Sequence, residues 1–225
     1  MKNNNKFVVL DLIFYVAFPL AIWHIMRDMI GDYYAMLLSS VPGIFYTIYR
    51  FKELKKVNVF GIFMISNLIV GTLVDVLSGS AIRLLWNNVY YSYAVALLFL
   101  LTIPFKKPIS LYFALDFTEL QGYDRSTNKK LFFHKRLFPI FNWIVVAFAL
   151  QNIILASIKA WLISQYGVEA FDKGIVLRQL LNWGLTIPVM AGYLYIGKII
   201  YDNPDFVKEA TGSQEEDAML TNERL

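Results

Sequence analysis

Long apolar stretches recur along almost the whole chain and are separated by short polar segments. Each stretch has close to the ~20 residues that an α-helix needs to cross about 30 Å of hydrocarbon. Because the core of a bilayer offers no partner to unpaired backbone groups, spans of this kind fold as helices. The pattern therefore predicts an all-α, polytopic membrane protein with six transmembrane helices. The predicted spans are residues 7–26, 33–49, 57–77, 84–105, 137–158 and 175–201.

The second span is the shortest and carries Ser39, Ser40, Pro42 and Gly43 near its centre. Proline removes a backbone donor and bends a helix. Irregular backbone at membrane depth survives only inside protein or beside water. Two interpretations stay open for this span, a kinked crossing helix and a partly re-entrant one.

Most of the 21 Lys and Arg residues lie in the N-terminal tail, in the second and fourth connections and in the C-terminal tail. Cytoplasmic segments carry an excess of Lys and Arg. The distribution predicts six crossings, with both termini on the cytoplasmic side. The first apolar run lacks a small-residue cleavage site, so we expect a retained span rather than a cleaved signal peptide.

The connection between spans four and five is too long for a simple turn and has a helical pattern of its own. Pro108 suits the first turn of a helix, and Gly122 suits its end. We predict a short amphipathic helix at the cytoplasmic interface, which is either a plain connector or a gate or docking surface. Basic residues around it would meet anionic lipid headgroups, at about 1 kcal/mol each. The apolar positions at helical spacing are Ile109, Tyr112, Phe113, Phe117 and Leu120.

The chain changes character at its end. Residues 203–225 are rich in Glu and Asp and include Gly212 and Ser213, a composition typical of solvated, disordered segments. We therefore predict one six-helix transmembrane domain, residues 1–202, followed by an acidic and disordered cytoplasmic tail, residues 203–225.

Composition supports the membrane class and argues against several chemistries. Charged residues make up 17% of the 225 positions, against about 25% in soluble domains. The chain has no cysteine, which excludes disulfides, thiolate metal sites and cysteine nucleophiles. His24 and His134 are predicted on opposite sides of the membrane, and no phosphate-binding loop or hydrolase motif is present. We therefore expect no enzymatic activity, no metal and no cofactor. We also expect no nucleic-acid partner, because the basic residues of the predicted cytoplasmic loops account for the net charge of +4.

Polar residues within the predicted spans are the candidate functional residues, because they are costly in lipid. Asn67 and Asp75 lie two helical turns apart on one face of the third span, and Arg178 and Asn182 share a face of the sixth. Arg83 opens the fourth span. Two interpretations stay open, a dry structural network in which Asp75 pairs with Arg83 or Arg178, and a solute-accessible chamber that opens outward. The predicted ligand-binding set is Asn67, Asp75, Arg83, Arg178 and Asn182.

Residues 72–117 combine a short turn at 77–82, the segment 83–86, an aromatic span and the run Lys106, Lys107, Pro108, Ile109. This stretch, together with Asn142 and Trp143, resembles the bacterial intracellular septation protein A family of inner-membrane proteins. The resemblance implies a non-enzymatic protein of cell-envelope maintenance or septation, which contacts other envelope proteins or further copies of itself. The alternative that the residues suggest is a small-solute transporter, or a substrate-binding membrane subunit, with an outward-facing polar cavity.

Overall fold

The computed structural model describes residues 9–52 and 58–211, so predictions for residues 1–8, 53–57 and 212–225 lie outside the described residues. The described residues form helices joined by turns, with no strand among them. The prediction of an all-helical chain is therefore confirmed. The helices are α1 (Val9–Ile30), α2 (Asp32–Lys52), α3 (Val59–Val76), α4 (Ala81–Leu101), α5 (Ile109–Leu120), α6 (Arg125–Phe132), α7 (Phe138–Tyr166), α8 (Ala170–Asp202) and α9 (Pro204–Thr211).

Four segments of the described chain are long and apolar enough to cross a membrane, namely Val9–Ile30, Val59–Val76, Ala81–Leu101 and Phe138–Asp202. The last segment contains both α7 and α8, joined by the 3₁₀ turn Gly167–Glu169. Many large apolar side chains on these helices are exposed, among them Leu98 at 61% and Leu194 at 71%. Water disfavours exposed apolar surface on this scale, whereas lipid accepts it. The helices are therefore compatible with a membrane protein.

α1 and α2 pack closely where α1 contains a π-helical turn, Ile13–Ala17. The ring of Tyr15 lies against Gly43 of α2, where a Cβ would be 3.2 Å from the ring. The Tyr15 hydroxyl also forms a hydrogen bond of 2.8 Å with Thr47 Oγ1. α2 contains Pro42 yet runs as one helix of 21 residues, so its described residues do not reverse direction as a re-entrant segment would.

The described residues fall into two compact units. Unit 1 contains the chain up to Ala96 together with Gln151–Gly184, and unit 2 contains Leu97–Leu150 and the chain from Leu185 onward. Every ligand-binding candidate predicted from the sequence lies in unit 1. The two cores include Trp23, Leu85 and Ile163 in unit 1, and Leu111, Phe141 and Val189 in unit 2.

The helix predicted between spans four and five is present as α5, Ile109–Leu120. Pro108 immediately precedes it, and Gly122 follows it with a φ of +93°, a conformation that glycine adopts without steric cost. Leu111 is fully buried in unit 2, whereas Phe117 is 62% exposed. The apolar side chains of α5 are thus divided between the core and the surface, and its place at a membrane interface stays a prediction.

α6 is a second short helix, which the hydrophobic pattern does not predict because its residues are mostly polar. Asp124 caps it, since its carboxylate accepts a hydrogen bond of 2.7 Å from the backbone N–H of Thr127. Hydrogen bonds from Ser126 and Thr127 lower the pKa of Asp124 to about 2. Arg125 donates to the buried carboxylate of Asp116 at 2.7 Å, which ties α6 to α5. That hydrogen bond raises the pKa of Arg125.

The segment predicted as an acidic tail begins with a helix, α9. Pro204 at its start suits the first turn, because proline lacks the N–H that a first turn leaves unpaired. Phe206 is 8% exposed and belongs to the core of unit 2. The guanidinium of Arg136 lies 5.2 Å from the centre of the Phe206 ring. Ordered packing thus extends beyond the predicted boundary at residue 202, while the acidic residues 212–225 lie outside the described residues.

Candidate functional site

Two hydrogen bonds join polar residues of α3 to polar residues of α4. The carboxylate of Asp75 accepts one from Asn88 Nδ2 at 2.6 Å, and Asn67 Oδ1 accepts one from the Tyr91 hydroxyl at 2.8 Å. The two helices are adjacent because a short turn joins them, with Gly79 at a φ of +70°. Asn67 and Asp75 therefore both face α4, as their spacing on one helix face predicts.

α7 and α8 form an antiparallel hairpin that sets Lys159 opposite Arg178. Where the two helices meet, a Cβ on Gly174 would lie 3.1 Å from Leu162 Cδ1. Lys159 precedes Leu162 by three residues, and Arg178 follows Gly174 by four. Lys159 therefore lies on the same face of α7 as Leu162, and Arg178 lies on the same face of α8 as Gly174. Each is about one helical turn further from the α7–α8 connection than the residue in the contact. The two cationic side chains consequently lie at the same level of the hairpin.

Asp75, Asn88, Lys159 and Arg178 form what we call the polar cluster. Lys159 interacts electrostatically with both Arg178 and Asp75, and all four residues are only partly exposed. Among the described residues, Asp75 forms no ion pair with Arg83 or Arg178, and its carboxylate bonds to Asn88 instead. Arg83 is exposed on α4. The structure thus places Asp75 and Arg178 in the polar cluster, does not bring Arg83 to the Asp75 carboxylate, and adds Lys159.

Asn182 belongs to a separate amide pair on the α7–α8 hairpin. Gln151 Nε2 donates a hydrogen bond of 2.8 Å to Asn182 Oδ1, and Gln151 is 9% exposed. A buried amide needs such a partner, because leaving it unpaired costs the desolvation of its polar atoms. The partners of Asn67 and Asn182, which are Tyr91 and Gln151, are not predicted from the sequence. Spacing along one helix does not reveal which residue faces it from the next.

An imbalance of charge is the main electrostatic property of the polar cluster. Two side chains that are ordinarily cationic, Lys159 and Arg178, lie at one level of the hairpin, and one carboxylate, that of Asp75, is within electrostatic reach of Lys159. An ion removed from water costs several kcal/mol unless a partner compensates it, and membrane helices rarely carry such residues without a functional or pairing role. The polar cluster brings together a carboxylate, an amide, an ammonium and a guanidinium, which are the groups that bind charged and hydrogen-bonding solutes.

An apolar layer lies between the polar cluster and the α7–α8 turn. It contains Trp23, Leu162 and Phe171, with the rings of Trp23 and Phe171 5.0 Å apart. Beyond it, Arg27 of α1 donates two hydrogen bonds, of 3.0 and 2.6 Å, to the carboxylate of Glu169 in the turn. The Arg27 guanidinium also lies 4.5 Å from the centre of the Trp23 ring. We call the Arg27–Glu169 ion pair the latch, because it fastens α1 to the α7–α8 turn.

A groove of about 380 Å³ opens between α2 and α3. Its walls are mostly apolar, and Asp75, Ser40 and Thr72 supply its polar groups. Asp75 therefore borders both the groove and the interior of unit 1. The lining residues are Ile30, Tyr34, Leu37, Leu38, Ser40, Val41, Ile44, Thr72, Asp75 and Val76.

The two histidines have separate surroundings. His24 lies 3.8 Å from Asp172, and His134 packs against the ring of Phe206 with centroids 4.9 Å apart. Within the described ranges 9–52 and 58–211, no three His, Asp or Glu side chains converge on a point that could hold a metal ion.

Comparisons with protein-family models, with curated proteins and with solved structures find no match to this chain. The resemblance to the septation protein A family therefore stays a prediction. The polar cluster, and the apolar helices that carry it, are the basis of the proposed function.

Proposed function

We propose that this chain is a multi-pass membrane protein that binds a small polar solute at the polar cluster, as a transporter or as a substrate-binding membrane subunit. The observation that carries the proposal is the placement of Lys159 and Arg178 at the same level of the α7–α8 hairpin, with Asp75 of α3 within electrostatic reach of Lys159. Ionisable residues within membrane helices face the bundle interior or a water-filled path and mark solute or ion pathways. Transport and solute binding need no chemistry at the site, which agrees with the expectation of a non-enzymatic protein.

The proposal includes six crossings of a bacterial inner membrane. Three single helices, Val9–Ile30, Val59–Val76 and Ala81–Leu101, have membrane length. The segment Phe138–Asp202 supplies two more, because α7 has 29 residues and α8 has 33. The sixth crossing is α2, whose 21 residues match the roughly 20 that a crossing needs.

Charge gives the proposed orientation. Lys129 and Lys130 are exposed in the connection between α4 and α7, and Lys and Arg favour the cytoplasmic side, where they would also contact anionic lipids. Both termini are then cytoplasmic. The α3–α4 and α7–α8 turns face outward, and the polar cluster lies in the outer half of the membrane.

A second candidate is a non-enzymatic scaffold of cell-envelope maintenance or septation that contacts other membrane proteins or copies of itself. The hydrogen bonds of Asn67 with Tyr91 and of Asn182 with Gln151 favour it, because a scaffold uses polar residues as dry structural pairs. Exposed apolar side chains such as Leu194 would supply its contact surface. The two candidates differ in whether water and solute reach unit 1.

Single-cysteine labelling tests the proposed function, because the chain has no native cysteine. Asn67→Cys and Asn182→Cys place a thiol on the same helix faces as Asp75 and Arg178 without removing a charge. We expect a membrane-impermeant thiol reagent, applied from outside, to modify both variants, since solute must reach the polar cluster from that side.

Two control positions calibrate the labelling. Ser164→Cys, exposed near the α7–α8 turn, should react fully from outside. Ile65→Cys, exposed on the surface of α3, should face lipid and react poorly. Reaction of Ser164→Cys alone, in folded protein, would contradict a solute-accessible site and favour the scaffold.

A further inference from the structure

We propose that the ligand of the polar cluster is a small oxyanion of single charge, carrying a carboxylate or phosphate group and held between Lys159 and Arg178. This inference rests on the proposed function. It adds the chemical class of the ligand and names the two side chains that hold it.

The geometry of the α7–α8 hairpin supports a shared site for the two cations. The contact between Leu162 and Gly174 fixes the register, and Arg178 Nε lies 3.9 Å from the position of a Cβ on Gly174. The Arg178 side chain therefore runs back toward this contact, alongside the face of α7 that carries Lys159. Across the described residues, neither cationic side chain forms an ion pair or a side-chain hydrogen bond. Both keep their donors available for a ligand.

The count of charges defines the sign of the ligand. The carboxylate that interacts with Lys159 is that of Asp75, and it is held by Asn88 at 2.6 Å. Lys159 and Arg178 are two basic side chains at the same level of the hairpin, and an anion between them would stabilise the charged form of both, the more strongly in apolar surroundings. A neutral or cationic solute would leave the two to repel each other. With both side chains protonated, a monoanion brings the polar cluster to neutrality.

The donor groups and their neighbours define the kind of anion. Arginine presents a planar fork that matches two oxygens of a carboxylate or phosphate, whereas lysine acts as a point charge. Leu162 and Ile163, next to the site on α7, are buried and apolar. The close contact of Leu162 with α8 leaves little room on that side, so a small oxyanion suits the site better than a bulky one.

The same oxyanion chemistry has two sources. A free carboxylate or phosphate solute would come from water, whereas the phosphate of a phospholipid would come from the bilayer. The groove between α2 and α3 leads from apolar surroundings to Asp75, which is the direction from which a lipid would approach. Separate measurements in detergent and in lipid distinguish the two sources.

The first measurement is thermal unfolding of the full chain in detergent, with increasing sodium acetate or inorganic phosphate at constant ionic strength. We expect the midpoint to rise with at least one of these anions and to stay constant with acetamide, which has the shape of acetate without its charge. Lys159→Met and Arg178→Gln should each weaken the response about tenfold or more, as expected for loss of a charge-assisted hydrogen bond. Arg83→Gln, which removes an exposed arginine, is the matched control and should respond like the unmodified chain.

The second measurement repeats the unfolding in nanodiscs of phosphatidylglycerol and of phosphatidylcholine. A rise in midpoint with phosphatidylglycerol that Arg178→Gln removes would identify a lipid phosphate as the oxyanion. A response to acetate or phosphate in detergent would identify a free solute. If neither measurement gives a response that depends on Lys159 or Arg178, the inference is wrong.

Two further outcomes keep the inference separate from the proposed function. If only neutral or cationic solutes protect Asn182→Cys from labelling, the site binds solute but the anion assignment is wrong. If Arg178→Gln does not fold, Arg178→Lys keeps the charge without the planar fork and should give a weakened response. An unchanged response in Arg178→Lys and in Lys159→Met would overturn the assignment.

Discussion

At the scale of single residues, Gly192 sets how closely α8 approaches α7 within unit 2. A Cβ on Gly192 would lie 2.6 Å from Ile144 Cγ1. Ile144 is 2% exposed, and a closely packed interior leaves a branched side chain little space to move aside. The close approach of the two helices at this point therefore depends on the absence of a side chain.

We expect Gly192→Ala to destabilise the protein by about 1–3 kcal/mol, as overpacking of a core does. Gly197→Ala is the matched control on the same helix, because no atom lies within 4 Å of its new Cβ. It should be neutral or stabilising by up to about 1 kcal/mol, since alanine favours the helix over glycine. Thermal unfolding of both variants in one detergent measures the difference. Equal unfolding midpoints for Gly192→Ala and the unmodified chain would mean that α8 has room for a side chain beside Ile144, and would contradict the close approach of α7 and α8.

Single residues also show how far the site can be predicted from the sequence. Asp75 and Arg178 stand out because a charge inside an apolar run is costly and therefore conspicuous. Lys159 is visible as a polar residue in the outer part of the fifth span, but it is not among the predicted ligand-binding residues, because no spacing in the sequence pairs it with Arg178. α7 continues to Tyr166, and only the register of α7 on α8 sets Lys159 opposite Arg178.

At the scale of elements, the latch joins α1 to a turn 142 residues further along the chain. Arg27 is also 3.3 Å from Asp32, so one guanidinium serves two carboxylates. Exposed ion pairs of this kind contribute only about 0–1 kcal/mol to stability. Because the latch holds the helix that carries Trp23 against the turn, we expect it to act on access to the polar cluster more than on stability.

We expect Glu169→Gln to increase labelling of Asn182→Cys from outside, because loss of the ion pair frees α1 and its buried Trp23 to move from the turn. The unfolding midpoint should change little. Ser164→Ala is the matched control, since Ser164 is exposed near the same turn and its hydroxyl donates to Ala160 O within α7, and it should leave labelling unchanged. Unchanged or reduced labelling in Glu169→Gln would show that the latch does not govern access.

Elements differ in how well the sequence predicts them. α3 is predicted to within two residues at each end, because hydropathy is a local property that marks where an apolar run begins and ends. α6 and α9 are not predicted, since α6 is polar and α9 is short, and both depend on packing in unit 2. The latch leaves no spacing pattern at all, because its two residues meet only after the helices have packed.

At the scale of the whole molecule, orientation in the membrane decides on which side the proposed solute site opens. Four segments of the described chain are long and apolar enough to cross a membrane, but hydropathy is the same in either direction. Lys and Arg give the direction, because cytoplasmic loops are enriched in them. The proposal of an outward-facing solute site therefore depends on the sidedness of the turns and connections.

The most direct test of this central claim is single-cysteine labelling in intact cells, before and after permeabilisation. The test positions are exposed: Leu77→Cys between α3 and α4, Ser164→Cys near the α7–α8 turn, Ser126→Cys in α6 and Asp205→Cys in α9. We predict that an impermeant reagent labels the first two in intact cells and the last two only after permeabilisation. Labelling of Ser126→Cys and Asp205→Cys in intact cells, with Leu77→Cys protected, would place the polar cluster on the cytoplasmic side and contradict an outward-facing site.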